Sequence, residues 1–440
     1  MWAGASGAGG DRNAKYDGMF YRIDPRYELI VYGSFPNTRF MSIHVYDDHA
    51  AFQERLYDAQ IVPLTAAYVN PYAPGVSYKS GQLYAAAVSF GGSQPPQVTP
   101  GCQLDGFNVY ANTLHAYPRH AGMNWNGDPN IPPDYPVHND NPTVYGELEV
   151  RRYLDQSGQG YVRPYILVRD LTTGCAVTPD VAFQSLLTYN AALYYASWLD
   201  RKQMNTHYDY EQNYLPWNCY GPDPNSTLTW KRTTEYLSNP SFDTAYSLAN
   251  VPAGLIQSLI DNKQFLRFRF RLPVMPKIPC NGTCSLSGVE ELRYWSLSFQ
   301  QGESVVDTIS DTQLTRDANG YVTLIVGVGA AKPAQVTTQN GYTWLDLSKS
   351  AGLLTIDRIQ LRSILASSSF QCSARNVPYR SSEYNSAGGY MGEYGFALDY
   401  QTATQIPPVA APFVQPNSCS YVPVEPPYSC RPGQITTRGD

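Results

Sequence analysis

The sequence predicts a mainly β protein: two tandem antiparallel, jelly-roll-like β-sandwich domains with a helical insert between them. Three observations carry this expectation. Short runs rich in β-branched and aromatic residues alternate with period two and are bounded by Gly, Pro, Asn and Asp clusters, the pattern of half-buried strands joined by turns. The same ordered set of small motifs occurs twice along the chain, which points to a repeated unit. Between the two sets, the hydrophobic period shifts to that of a helix.

In chain order, residues 1–18 are rich in Gly and Ala and read as a flexible tail. The first sandwich is expected over 19–178, with strand-like runs at 27–32, 40–46, 83–90, 107–110, 147–153 and 165–168. Asp155-Gln156-Ser157-Gly158 is a turn signal between two of them. Thr178, Pro179 and Asp180 then form a helix start: a capping hydroxyl, a proline in the first turn and an acid facing the dipole. Phe183, Leu186, Leu187, Asn190, Tyr194 and Trp198 follow at helical spacing, and Leu255, Ile256, Leu259 and Ile260 form a second apolar face after Pro252. Residues 179–262 are therefore read as a helical or mixed insert. Alternation resumes over 263–404, the second sandwich, where Arg267, Arg269 and Arg271 project to one side and Leu266, Phe268 and Phe270 to the other. Asp317-Ala318-Asn319-Gly320 marks a hairpin turn. Residues 405–440 form a Pro- and Cys-rich tail.

The repeated set is specific in its order. Arg39-Phe40-Met41-Ser42 corresponds to Arg293-Tyr294-Trp295-Ser296, and Asp58-x-Gln60-Ile61 to Asp311-x-Gln313-Leu314. A strand ending at Gly91 corresponds to one ending at Gly329, and Trp125 to Trp344. The strand opened by Gly146 and holding Arg151 corresponds to the one opened by Gly352 and holding Arg358.

These motifs resemble those of a group of bacterial envelope or secreted proteins that carry two tandem domains of unknown function, the second marked by Arg-Tyr-Trp-Ser. The likeness runs over most of residues 20–370. It implies two β-sandwich-like domains bridged by helical segments, and it brings no activity. The cysteines, the Cys280–Cys284 segment and the proline-rich tail depart from the pattern and imply a distinct secreted branch.

Composition bounds the function. Only 15% of the residues are charged, while Tyr (36), Gly (34) and Pro (34) are abundant, a balance suited to a turn-rich, externally exposed β protein. The net charge of −6 argues against a nucleic-acid partner and against a polybasic membrane contact. No apolar run is long enough to be a transmembrane segment. The cysteines are Cys102, Cys175, Cys219, Cys280, Cys284, Cys372, Cys419 and Cys430, with no zinc-type spacing, so disulfides are expected. Cys280/Cys284 and Cys419/Cys430 are close enough to be local staples; the connectivity stays open, and buried free thiols are the alternative. Disulfides imply a secreted or cell-surface location. Because residues 1–10 lack an apolar core, that reading requires either a signal peptide already removed, which is preferred, or an unconventional export route.

Candidate chemistry is sparse. His115, His120 and His138 fall close together with Asp128 and Asp140, a ligand set for zinc, copper or iron; hydrogen-bonded loop histidines are the bland alternative. Asp155 and Asp317 sit in loops with oxygen donors suited to calcium, but Asp, Asn and Gly favour plain turns anyway. Arg39 and Arg293 offer guanidinium forks for an anion, against a repeated structural ion pair involving Asp58 and Asp311. Tyr390 and Tyr394, in a glycine-rich loop, are binding candidates. No Gly-x-Ser-x-Gly elbow, P-loop or dinucleotide fingerprint occurs. The expectation is a structural or binding protein, glycan-binding or self-assembling. The alternative is an extracellular metal-dependent enzyme built on His115, His120 and His138.

Overall fold

The computed structural model describes residues 3–4, 11–47, 52–90, 100–102, 105–116, 144–156, 162–182, 230–232, 243–277, 286–301, 304–348, 350, 356–376 and 391–411. These residues form a mainly β protein with four sheets. The first half contains β1 (Ala3–Gly4), β2 (Ala14–Ile23), β3 (Tyr27–Ser34), β4 (Phe40–Asp47), β5 (Phe52–Tyr57), β6 (Leu83–Ser89), β7 (Thr113–His115), β8 (Val144–Tyr153), β9 (Tyr165–Asp170) and β10 (Cys175–Ala176). The second contains β11 (Trp230–Arg232), β12 (Thr244–Asn250), β13 (Gln264–Arg271), β14 (Tyr294–Gln301), β15 (Ser304–Ser310), β16 (Tyr321–Gly327), β17 (Tyr342–Asp346), β18 (Arg358–Ile364) and β19 (Ala397–Thr402).

Sheet A has the order β1-β2-β8-β4-β5 and sheet B the order β10-β9-β3-β6-β7. Sheet C has the order β11-β12-β18-β14-β15 and sheet D the order β17-β16-β13-β19. The order β2-β8-β4-β5 thus has its counterpart in β12-β18-β14-β15, and β9-β3-β6-β7 in β19-β13-β16-β17. Register refines one pairing made from sequence: Ser42 lies opposite Arg151 and Ser296 opposite Arg362, so Arg362, not Arg358, is the counterpart of Arg151. Trp125, Gly91 and Gly352 lie outside the described residues.

Each half buries the apolar side of its alternation. Leu29, Val31, Met41, Ile43, Val45, Val88, Leu148 and Val150 fill the space between sheets A and B. Phe268, Phe270, Trp295, Leu297, Phe299, Leu324 and Leu361 do so between C and D. Each such side chain contributes roughly 1.5–3 kcal/mol through removal from water. The sheets are not purely antiparallel: β6 pairs with β7, and β16 with β17, in parallel. A parallel partner cannot follow through a two-residue turn, and a long crossover precedes β7 and β17.

Two expected boundaries read differently in three dimensions. Residues 11–18, read as tail, hold the start of β2, paired along its whole length with β8. Within 179–262, Pro179–Ala182 begin a helical turn and Leu255–Asp261 form a short helix that buries Ile256 and Leu259. β11 and β12 also lie in that stretch, and they extend sheet C through β18. Residues 183–229, where most of the insert's helical spacing falls, are outside the described residues.

The faces of sheets A and C that point away from their own cores are buried too. Ser42, His44 and Tyr46 on β4, and Ser296 and Ser298 on β14, are all at most 2% exposed. Side chains cross between the halves here: the Tyr153 and Tyr294 rings lie 5.1 Å apart, and Phe40, Tyr153, Tyr294 and Ile364 form one apolar cluster. Sheets A and C are therefore the inner pair, and B and D the outer.

Candidate functional site

The seam between sheets A and C gathers most of the buried charge. Asp58 and Asp311 each open a single 3-10 turn, Asp58–Gln60 and Asp311–Gln313. The glutamine of each motif folds back to accept the N–H of Tyr57 or Ser310, at 3.2 and 2.9 Å. That leaves each aspartate aimed into the seam. Arg39 Nη1 donates to Asp311 at 2.8 Å, and Arg293 Nη2 donates to Asp58 at 3.1 Å. Asp58 also accepts the N–H groups of Met41 and Ala59, at 3.0 and 2.7 Å. Burial still pushes its carboxyl up to about 6, against the opposing pull of Arg293.

A second network runs through His44. Arg151 Nη2 donates to the Tyr46 hydroxyl at 2.6 Å, and that hydroxyl lies 3.0 Å from His44 Nδ1. An oxygen that already accepts from Arg151 donates its own proton to Nδ1, which leaves the imidazole proton on Nε2. Nε2 faces Ser42 Oγ at 2.8 Å and Asp243 at 3.4 Å, and Arg55 also pairs with Asp243. Burial first, and Arg151 second, lower the His44 pKa to about 4, so the ring is neutral at pH 7. Ser, His and Asp meet here without forming a nucleophilic triad. Both partners share one ring nitrogen instead of lying on opposite ones, and His44 and Ser42 have no exposed surface for a substrate.

A different surface lies on the outer face of sheet B. Ile30, Leu64, Ala85, Ala87 and Val109 form its floor, and Tyr32, Tyr68, Phe107, Tyr110 and Leu167 stand partly buried around it. Tyr165, the register partner of Tyr32, is 62% exposed. The Tyr32 and Phe107 rings stack at 6.5 Å with an interplanar angle of 27°. One end of this face is polar. Glu28 and Arg169 are register partners, and Ser89 and His115 are partners on the neighbouring strands. Tyr110 donates its hydroxyl to Glu28 Oε1 at 3.0 Å and lays its ring 4.7 Å from the Arg169 guanidinium carbon. Burial raises the Glu28 carboxyl to about 7, opposed by Arg169.

The residues singled out from sequence fall into distinct places. Arg39 and Arg293 are buried in the cross-half ion pairs and present no open fork. Tyr394 is buried against Phe370 and donates to Glu291 at 2.9 Å, so it is part of the second core; Tyr390 lies outside the described residues. His115 pairs through Nδ1 with Glu54 at 3.1 Å, while His120 and His138 lie outside the described residues. Among the described residues, no three His, Cys, Asp or Glu side chains converge as a metal site. Asp155 pairs with Arg152, and Asp317 accepts the N–H groups of Asn319 and Tyr321 in a turn. Arg267 and Arg269 pair with Asp399, and Arg271 with Glu393. Cys102 and Cys175 form a disulfide, and Cys372 is disulfide-bonded too; Cys219, Cys280, Cys284, Cys419 and Cys430 lie outside the described residues.

Sequence reasoning missed His44 as a network centre, and missed Glu28 and Arg169 altogether. The available signal was a charged residue inside an otherwise apolar strand, Glu28 between Tyr27 and Leu29.

No family model matches the chain, and no curated protein matches it. Among solved structures, it is similar to an uncharacterized protein from Burkholderia cenocepacia, at 12% identity over 92% of this chain and 82% of that one, with a TM-score of 0.45. It is also similar to the VPA0106 protein from Vibrio parahaemolyticus, at 10% identity over 82% of this chain and 87% of that one, with a TM-score of 0.35. Neither likeness assigns a family or an activity.

Proposed function

We propose that this chain is a secreted or cell-surface binding protein whose ligand is a glycan laid across the outer face of sheet B. The observation that carries this reading is the aromatic set Tyr32, Phe107 and Tyr165 around a buried apolar floor. Tyrosine offers a flat apolar face to the C–H side of a sugar ring and a hydroxyl to its rim. The charged candidates Arg39 and Arg293 are occupied by ion pairs, which leaves this face as the better surface for a ligand. The Cys102–Cys175 disulfide supports an oxidising compartment. The matching strand orders and matching motifs support descent of both halves from one duplicated unit of the bacterial tandem-domain kind.

The test is a titration of the full chain with neutral oligosaccharides, followed by calorimetry. Tyr165→Ala, at an exposed position with little effect on folding, is expected to weaken binding about five- to tenfold through loss of one stacking contact. Binding that is absent, or unchanged in both Tyr165→Ala and Phe107→Ala, sinks the reading.

A further inference from the structure

The polar end of the same face contains an unusual arginine. Arg169 has no exposed surface, yet among the described residues none of its guanidinium N–H groups has a hydrogen-bond acceptor. Its Nε lies 2.6 Å from Glu28 Oε1, an ion pair in which the N–H does not point at the oxygen. Glu28 Oε2 is unpartnered as well. Two other buried arginines among the described residues do donate: Arg151 to Glu149 and Tyr46, and Arg152 to Asp17 and Asp155. Burying a guanidinium without acceptors costs more than leaving out the interaction altogether, so an unsatisfied one calls for a partner.

Tyr110 is the only aromatic ring recorded over this arginine among the described residues, and it belongs to the single turn Val109–Asn112 rather than to a sheet. It is half-buried, and one hydroxyl bond to Glu28 holds it there. An anion reaching Arg169 from the aromatic face would have to displace this ring.

We propose that Arg169, beneath Tyr110, is an anion subsite that takes the carboxylate of an acidic sugar at the end of the sheet B face. A planar carboxylate matches the two parallel N–H groups of a guanidinium edge. The competing carboxylate is Glu28, which burial already disposes to take up a proton near neutral pH; once protonated it becomes a donor to the incoming anion instead of a rival. The other ionisable groups nearby are Asp170, whose strand position adjoins Arg169, and the His115–Glu54 pair, with His115 two strands from Glu28. This inference rests on the glycan reading for its ligand class, but its test is separable.

The full chain is titrated with glucuronate, galacturonate and sialic acid as monosaccharides, with glucose and acetate as controls. The acidic sugars are expected to bind and glucose not. Arg169→Met is expected to weaken them at least about tenfold, the equivalent of one charge-assisted hydrogen bond. Glu28→Gln, nearly isosteric, is expected to tighten them, and it decides the matter if Arg169→Met does not fold. Tyr165→Ala is expected to weaken neutral oligosaccharides while leaving the acidic monosaccharides unchanged, which separates this subsite from the aromatic platform. Absence of acidic-sugar binding, or affinities unaltered in Glu28→Gln, overturns the proposal, and acetate bound as tightly as glucuronate overturns its sugar component.

Discussion

Arg39 in the first half donates to Asp311 in the second at 2.8 Å, and both side chains are at most 5% exposed. The counterpart pair, Arg293 to Asp58, runs the other way at 3.1 Å. Each motif's arginine thus closes on the other motif's aspartate. Neither half contains a complete pair by itself, so the two ion pairs are also the clasp between the halves.

Breaking one buried pair leaves an uncompensated charge. Asp311→Leu is therefore expected to lower stability by about 3–5 kcal/mol, and Arg39→Met with Asp311→Leu together by less than the sum of the two single changes. Urea denaturation of the two single variants and the double variant measures the coupling. Strict additivity would show that the contact carries no coupling energy.

The pH profile has two opposing contributions. The Glu28 carboxyl is raised from 4.5 to about 7 in the folded chain, so the folded state holds an extra proton between those values. Its contribution is fully present below pH 4.5 and is lost as pH rises through 7. The His44 pKa is lowered from 6.5 to about 4, so its contribution is present above 6.5 and is lost as pH falls through 4. Glu28→Gln is expected to flatten the decline toward pH 7, and His44→Gln the decline toward pH 4. Thermal melts from pH 4 to 8 test both slopes.

Gly146, in the seam-facing sheet, has no room for a side chain. A Cβ placed there would collide with the Tyr46 carbonyl oxygen and with the ring of Tyr21. The carbonyl belongs to the paired strand β4 and cannot swing away. Gly146→Ala is expected to destabilise by about 1–3 kcal/mol, the usual cost of overpacking, and chemical denaturation reads it. A neutral outcome would mean that β8 shifts freely against β4.

The Cys102–Cys175 disulfide closes a loop between residues 73 positions apart. Replacing both cysteines with serine is expected to lower stability by about 2–4 kcal/mol, mostly through the unfolded chain. Denaturation of this variant under oxidising conditions checks the value against the intact protein.

Period-two alternation in a segment such as 265–272 has a local cause, because one side of a strand must be apolar to leave water. Runs of that kind were therefore legible, and so were the turn at Asp317–Gly320 and the apolar face of Leu255–Asp261. The start of β2 was not, since Tyr16 and Gly18 sit on a face buried by the other half, and such burial leaves no alternating trace. Candidate site residues were harder still. Arg39 and Arg293 stood out as motif positions, but whether a guanidinium meets a ligand or a carboxylate depends on what lies opposite.

The sequence by itself determined the fold class, the matching order of motifs and the chemical types available, because each follows from local pattern and composition. Only the tertiary structure decided that the arginines and aspartates pair crosswise, that Ser42, His44 and Asp243 meet without access to solvent, and that Glu28 and Arg169 face each other under Tyr110. Those relations join residues as much as 272 positions apart. They are set by sheet register and by the packing of two sheets, which no local stretch of chain encodes.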